Sequence, residues 1–139
     1  MSNIDSGAKL LNFIVVGAVA AAAMLYIISP RTPVAPPDDA WFKSAVINRS
    51  EPVLVKFGAE WCGPCRMLDP ELDKLQHRLH GQVEVVRVNV DNHPDLAEHY
   101  GVSSIPRLLL FNHGQVVADR VGYVDGHQLQ AWVASNCRN

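Results

Sequence analysis

Residues 57–66 read FGAEWCGPCR, two cysteines with only a glycine and a proline between them. What surrounds the pair depends on how it is read. Structural zinc takes four thiolate or imidazole ligands, whereas the chain offers Cys62, Cys65, a remote Cys137 and scattered histidines. Haem attachment needs a histidine directly after the second cysteine, and Arg66 stands there. A permanent disulfide and a redox-active pair remain, and the flanking pattern favours the second. VLVKF, residues 53–57, is a short β-branched run that suits a buried strand. The stretch that begins at Cys62 reads as a helix, with Leu68, Leu72, Leu75 and Leu79 spaced four, three and four apart. A thiol at a helix start meets backbone N–H groups and the positive end of the dipole, which favour the thiolate. Cys62, the outer thiol, would attack a substrate disulfide, and Cys65, one turn inward, would resolve the mixed disulfide. Gly63 permits a tight turn, and Pro64 has no N–H to donate and a fixed φ suited to a first helical turn.

Upstream, LLNFIVVGAVAAAAMLYII at residues 10–28 carries no charge. About 20 residues at ~1.5 Å rise span a ~30 Å hydrocarbon core, so this run is expected to anchor the chain in a bilayer. A cleaved signal peptide is the alternative, since small-x-small sites occur at Ala18–Ala20 and Ala20–Ala22. Apolar MLYII follows those sites where a polar region would be expected, so the anchor is preferred. Residues 1–9 then form a tail, and SPRTPVAPP, residues 29–37, with four prolines, forms a semi-rigid spacer. The remainder, residues 38–139, is the domain. Lys9 is balanced by Arg31 and Lys43, so charge does not set the orientation; a periplasmic or other extracytoplasmic domain is preferred.

Across all 139 residues the net charge is −2 with acids and bases interspersed, which leaves no nucleic-acid footprint. Three cysteines are too few for a disulfide-stapled scaffold. Within the domain, Asp38 or Asp39 is expected to cap a first helix that buries Trp41, Phe42, Ala45 and Val46. Further strands are expected at 83–90, 107–111 and 116–121, the last two joined by a hairpin at NHGQ. Short helices are expected before Gly101 and after Asp125, and Pro70 should kink the long helix. The order α-β-α-β-α-β-β-α predicts an α/β domain of parallel strands with helical crossovers, closed by an antiparallel hairpin.

VKFGAEWCGPCRMLDP, VRVNVD, YGVSSIPRLLLFNHG and VGYVDGHQL, in that order, resemble the thioredoxin family from about Asp38 to the C-terminus. The resemblance implies a thioredoxin fold with a central mixed sheet flanked by helices, and Cys62 and Cys65 as attacking and resolving thiols. It implies that Trp61 shields the site and contacts substrates. Pro106 matches the family's cis-proline, whose missing N–H leaves the backbone of Ile105 to pair with an extended substrate segment. Gly122 matches a glycine on the same surface, where a side chain would obstruct a partner. No cofactor and no metal are implied beyond the dithiol itself.

Three positions and one segment depart from the family pattern. Lys56 stands where a buried aspartate is usual. An ammonium there would favour the thiolate and make the disulfide more oxidising; alternatively its stem packs and its amine reaches water. Gly58 replaces a tryptophan, which loosens packing or widens the substrate groove. Arg107 replaces a threonine after Pro106, either selecting clients by charge or lying solvated. The family's first strand has little room in TPVAPP. Cys137 is expected to be a frayed-terminus thiol, with an intermolecular disulfide as the alternative, and His77 and His80 to be solvated.

The functional expectation is a membrane-anchored thiol–disulfide oxidoreductase that reduces protein disulfides. Its partners are protein substrates, a membrane or soluble thiol electron donor, and lipid through residues 10–28. An oxidase or isomerase, and a tethered binding module that makes little use of its cysteines, are the rival readings.

Overall fold

The computed structural model describes residues 37–137. The expected tail at 1–9, the anchor at 10–28 and the spacer up to residue 36 lie outside the described residues. Among the described residues no helix is long and apolar enough to cross a membrane.

The described residues open with helix α1, Ala40–Phe42, which widens at once into a π-helical stretch, Lys43–Ile47. Asp39, rather than Asp38, caps it by accepting from the Phe42 N–H at 2.7 Å. Phe42 and Val46 turn inward as expected, but Trp41 is exposed and stacks on His93 with ring centroids 5.1 Å apart. Then follow β1 (Val53–Gly58), α2 (Gly63–Arg78), β2 (Glu84–Asn89), α3 (Pro94–His99), β3 (Arg107–Asn112), β4 (Gln115–Val121) and α4 (Gly126–Asn136). Helix α2 continues through Pro70 instead of breaking there. Pro70 and Arg66, whose carbonyl loses its donor, both face solvent, where water can take that place. Asp125 caps α4 by accepting from the N–H groups of His127 and Gln128, each at 3.0 Å.

The sheet order is β2-β1-β3-β4. β1 and β2 are parallel, but β3 is antiparallel to β1, so the expected run of parallel strands stops at two. The connection from β2 through α3 leaves and returns at the same end of the sheet, so the chain enters β3 from the end at which β1 finishes, with Arg107 opposite Phe57. That reversal brings the segment before β3 to the C-terminal edge of β1, where Cys62 lies.

β1 is buried along its whole length, so its alternate side chains feed two cores. Leu54 packs with Leu68, Leu72, Leu110, Leu129 and Val133 under α2 and α4. Val53, Val55 and Phe57 pack with Phe42, Leu109 and Phe111 on the other face. Tyr100 joins that second face with its ring 5.5 Å from those of Phe42 and Phe111. The β3–β4 turn takes positive φ at both His113 (48°) and Gly114 (73°), the twist-compatible form for a two-residue hairpin. Gly114 also lies against the first helix: a Cβ there would come within 2.5 Å of the Ile47 carbonyl oxygen.

Candidate functional site

Parallel pairing aligns the ends of β1 and β2, Gly58 opposite Asn89, and the Val90 N–H extends the ladder to the Gly58 carbonyl at 2.9 Å. The residues that follow the two strands therefore meet. Cys62 is the N-cap of α2, with extended backbone, and its Sγ accepts from the Cys65 N–H at 3.2 Å. Pro64 contributes no donor and no acidic side chain lies in the first turn, so the N–H array faces sulfur without a competing charge. Cys62 and Cys65 are joined in a disulfide, with Cα atoms 5.3 Å apart. Cys65 is fully buried and Cys62 retains 6% exposure, so of the two it is Cys62 that an incoming partner can reach. Ala59 completes a small apolar cluster with both cysteines, and Val90 and Ile105 pack against it.

Ile105 reaches that cluster from the loop before β3. The Ile105–Pro106 peptide is cis, and among the described residues the backbone N–H and C=O of Ile105 have no backbone partner. The Pro106 carbonyl accepts from the Gly122 N–H at 2.8 Å, which ties the loop to the end of β4. Gly122 has φ of +91°, which is itself a reason for glycine, and a Cβ there would point into open space. Ile105 thus packs against Cys62, and Pro106 and Gly122 are tied to each other directly behind it in the chain and across to β4. Trp61 is 69% exposed, and its indole N–H donates to Asp91 Oδ2 at 2.9 Å.

Lys56 does not reach water as the second expectation had it. It is 6% exposed, and its ammonium does not reach water alone: Nζ lies 2.6 Å from Asp69 Oδ1. Lys56 and Arg87 are partners in the β1–β2 register, so two cations sit side by side beneath α2. Such a pair repels unless matched. Asp69 takes both, with Arg87 Nε at 3.2 Å, and Asp73, one turn further along α2, takes Arg87 NH2 at 2.6 Å. Gly58 makes room for this arrangement: a Cβ on it would fall 2.9 Å from Lys56 Cε and 3.2 Å from Cys65 Sγ. A cavity of about 360 Å³, lined by Gly58, Lys56, Arg66, Asp69 and Arg87 among others, opens there. Ile105, Pro106 and Gly122 do not line it, so the missing side chain enlarges the space behind Cys65 and not the groove beside Pro106.

Arg107 is not solvated either. Its guanidinium grips Asp119 with two nitrogens and donates from a third to the Gly101 carbonyl at 2.8 Å. Cys137 is not frayed: it is the C-cap of α4 and packs against the core, and burial pushes its thiol pKa up. His77 and His80 are exposed, and among the described residues no group of three or more His, Cys, Asp or Glu is placed to hold a metal ion.

Asp69, Asp91 and Asp119 were not legible as site residues. Asp69 carried one usable signal, since it follows Cys65 by four residues and so shares its helix face. Asp91 follows β2 as Cys62 follows β1, but the meeting of the two depends on the parallel register. Asp119 becomes relevant only through the antiparallel pairing of β3 and β4.

Comparison with known proteins agrees with this geometry. The family model described as thioredoxin matches residues 33–135. The chain is 45% identical over 96 residues to a thioredoxin of Haemophilus influenzae, covering 69% of this chain and 90% of that one. It is 40% identical over 95 residues to a thioredoxin of Rickettsia felis, covering 68% and 90%. It is 50% identical over 86 residues to thioredoxin 1 of Synechococcus elongatus, covering 62% and 80%. With Cys62 capping α2 above Cys65 and the family model matched over most of the described length, the chain is a thiol–disulfide oxidoreductase that belongs to the thioredoxin family.

Proposed function

We propose that the protein reduces disulfides of protein substrates from the surface of a membrane, in an extracytoplasmic space. The observation that carries the redox half of this reading is Cys62 Sγ on the Cys65 N–H, with Ile105 packed alongside and its backbone N–H and C=O without a backbone partner among the described residues. In the reduced enzyme the Cys62 thiolate attacks one sulfur of a substrate disulfide. The S–S bond breaks, its other sulfur leaves as a thiolate and takes a proton, and Cys62 holds the mixed disulfide. Cys65 then loses its proton and attacks Cys62 Sγ, and the second substrate sulfur leaves as a thiolate that is protonated in turn. The substrate gains two electrons and two protons, and the enzyme ends as the Cys62–Cys65 disulfide. A thiol donor, soluble or in the membrane, reverses the cycle. During attack, an extended substrate segment pairs with Ile105 beside Pro106, while Trp61 and Gly122 border the contact. The uncharged run at residues 10–28 supports tethering.

The Gly-Pro pair between the cysteines favours reduction over oxidation or isomerisation. A buried cation at Lys56 favours the opposite direction. Its pairing with Asp69 weakens that argument. Equilibrating the full-length chain against a dithiol buffer decides between them. The reducing and strongly oxidising limits of the fold lie near −270 and −120 mV. A Cys62–Cys65 potential below about −230 mV is the expected result, and one above about −180 mV means a disulfide donor or isomerase. Alkaline carbonate extraction tests the tether: the chain should stay in the membrane pellet, and release into the supernatant would argue against an anchor.

A further inference from the structure

We propose that Arg107 is a positioning residue that braces the substrate-facing loop and so sets how well this enzyme prefers protein disulfides to small ones. The inference rests on the reading that protein disulfides are its substrates.

Residues 101–106 leave α3 and turn into β3, carrying Ile105 and Pro106 to the edge beside Cys62. Arg107 is the first residue of β3 and follows the loop directly. Its guanidinium returns to the start of the same loop, where NH1 donates to the Gly101 carbonyl at 2.8 Å. The loop is therefore closed at its neck by one side chain. Nε and NH2 occupy both oxygens of Asp119, with Nε to Oδ1 at 3.0 Å. Leu109 is the register partner of Asp119, and Val121 that of Arg107, so the ion pair is a diagonal contact on one face of the β3–β4 ladder. The Gly122 N–H on the Pro106 carbonyl is a second tie between the same loop and the end of β4.

An exposed ion pair would merit no such role, because its net contribution is close to nothing. This one differs in geometry, and its arginine side is mostly covered although Asp119 is 42% exposed. The fork is bidentate, a third donor holds a backbone carbonyl, and the Arg107 side chain is 19% exposed. An extended substrate that pairs with Ile105 needs that backbone already in place; a slack loop must be ordered at each encounter, which weakens binding without touching the sulfur chemistry. A small disulfide makes no strand-like contact and does not call on the loop. Lysine cannot replace the residue, since one ammonium cannot hold two carboxylate oxygens and a carbonyl in a planar fork.

The experiment compares Arg107→Met, Arg107→Lys and Asp119→Asn full-length proteins with wild type. Each protein is reduced with dithiothreitol, freed of it, and mixed with insulin as protein disulfide or 5,5′-dithiobis(2-nitrobenzoate) as small one, and the second-order rate constant for oxidation of the enzyme is measured. The expected result is a fall of roughly threefold to tenfold in the insulin-to-small-disulfide ratio of these rate constants, carried by the insulin reaction, in all three variants. Asp119→Asn sits on an exposed part of the edge strand and keeps the test usable if an Arg107 variant fails to fold. An unchanged ratio in folded variants, or full rescue by lysine, overturns the proposal. Wild-type protein inert toward both disulfides would instead overturn the underlying reductase reading.

Discussion

Lys56 Nζ lies 2.6 Å from Asp69 Oδ1, so a carboxylate from the helix that carries Cys65 matches the ammonium buried behind it. With Arg87 and Asp73 included, two cations and two carboxylates share the space beneath α2. The local field at the thiols is then a balance, not the effect of one lysine.

That balance predicts opposite shifts from its two halves. Asp69→Asn leaves a surplus cation, stabilises the reduced thiolate and should raise the Cys62–Cys65 potential by on the order of 30 mV, a tenfold change in the exchange constant. Lys56→Met should lower it by a similar amount, and the double variant should return close to wild type. Equilibration against glutathione measures all three; shifts of the same sign in both single variants would show that charge balance is not the controlling quantity.

Gly58 and Lys56 should be energetically coupled. An added methyl at residue 58 would push the Lys56 stem away from Asp69, because Lys56 Cε lies 2.9 Å from that point. Gly58→Ala is expected to destabilise by about 1–2 kcal/mol in wild type and by clearly less in a Lys56→Met background. Urea unfolding of the four proteins in the cycle gives the coupling, and additive losses would contradict the packing argument.

At the hairpin, Gly114→Ala combines two penalties. An L-residue at positive φ costs about 1–2 kcal/mol, and the new Cβ would meet the Ile47 carbonyl oxygen at 2.5 Å. Gly81 has similar φ, +76°, with nothing within 4 Å of its Cβ, so Gly81→Ala carries the conformational cost alone. Denaturant midpoints should rank Gly114→Ala well below Gly81→Ala, and equal midpoints would remove the steric contribution.

Burial pushes the Tyr100 phenol up to about 12 from its usual 10. A raised folded-state pKa contributes stability that is present below the unfolded value and lost as pH rises toward the folded one. Between pH 10 and 12 the unfolded chain releases this proton while the folded one holds it, so stability should fall there. Tyr100→Phe has no such proton. Melting temperatures across that range should drop more steeply in wild type than in Tyr100→Phe, and parallel slopes would show that another group governs the alkaline limit.

Local pattern alone determined the buried strand at 53–57, the leucine-spaced helix that starts at the cysteines and the hairpin at NHGQ, because each depends on neighbours along the chain. The redox pair was legible for the same reason, since two cysteines within one helical turn carry their geometry with them. The direction of β3 was not: it depends on which end of the sheet the connection after β2 returns to, and no local pattern states that. The partners of the unusual cations were equally hidden. Lys56 meets Arg87 through strand register and Asp69 through the packing of α2 on the sheet, and Arg107 meets Asp119 across an antiparallel ladder. Charge acts over a few ångströms and takes no account of separation in sequence. Residue type could therefore announce which charges were out of place, and only the tertiary structure decided what answers them.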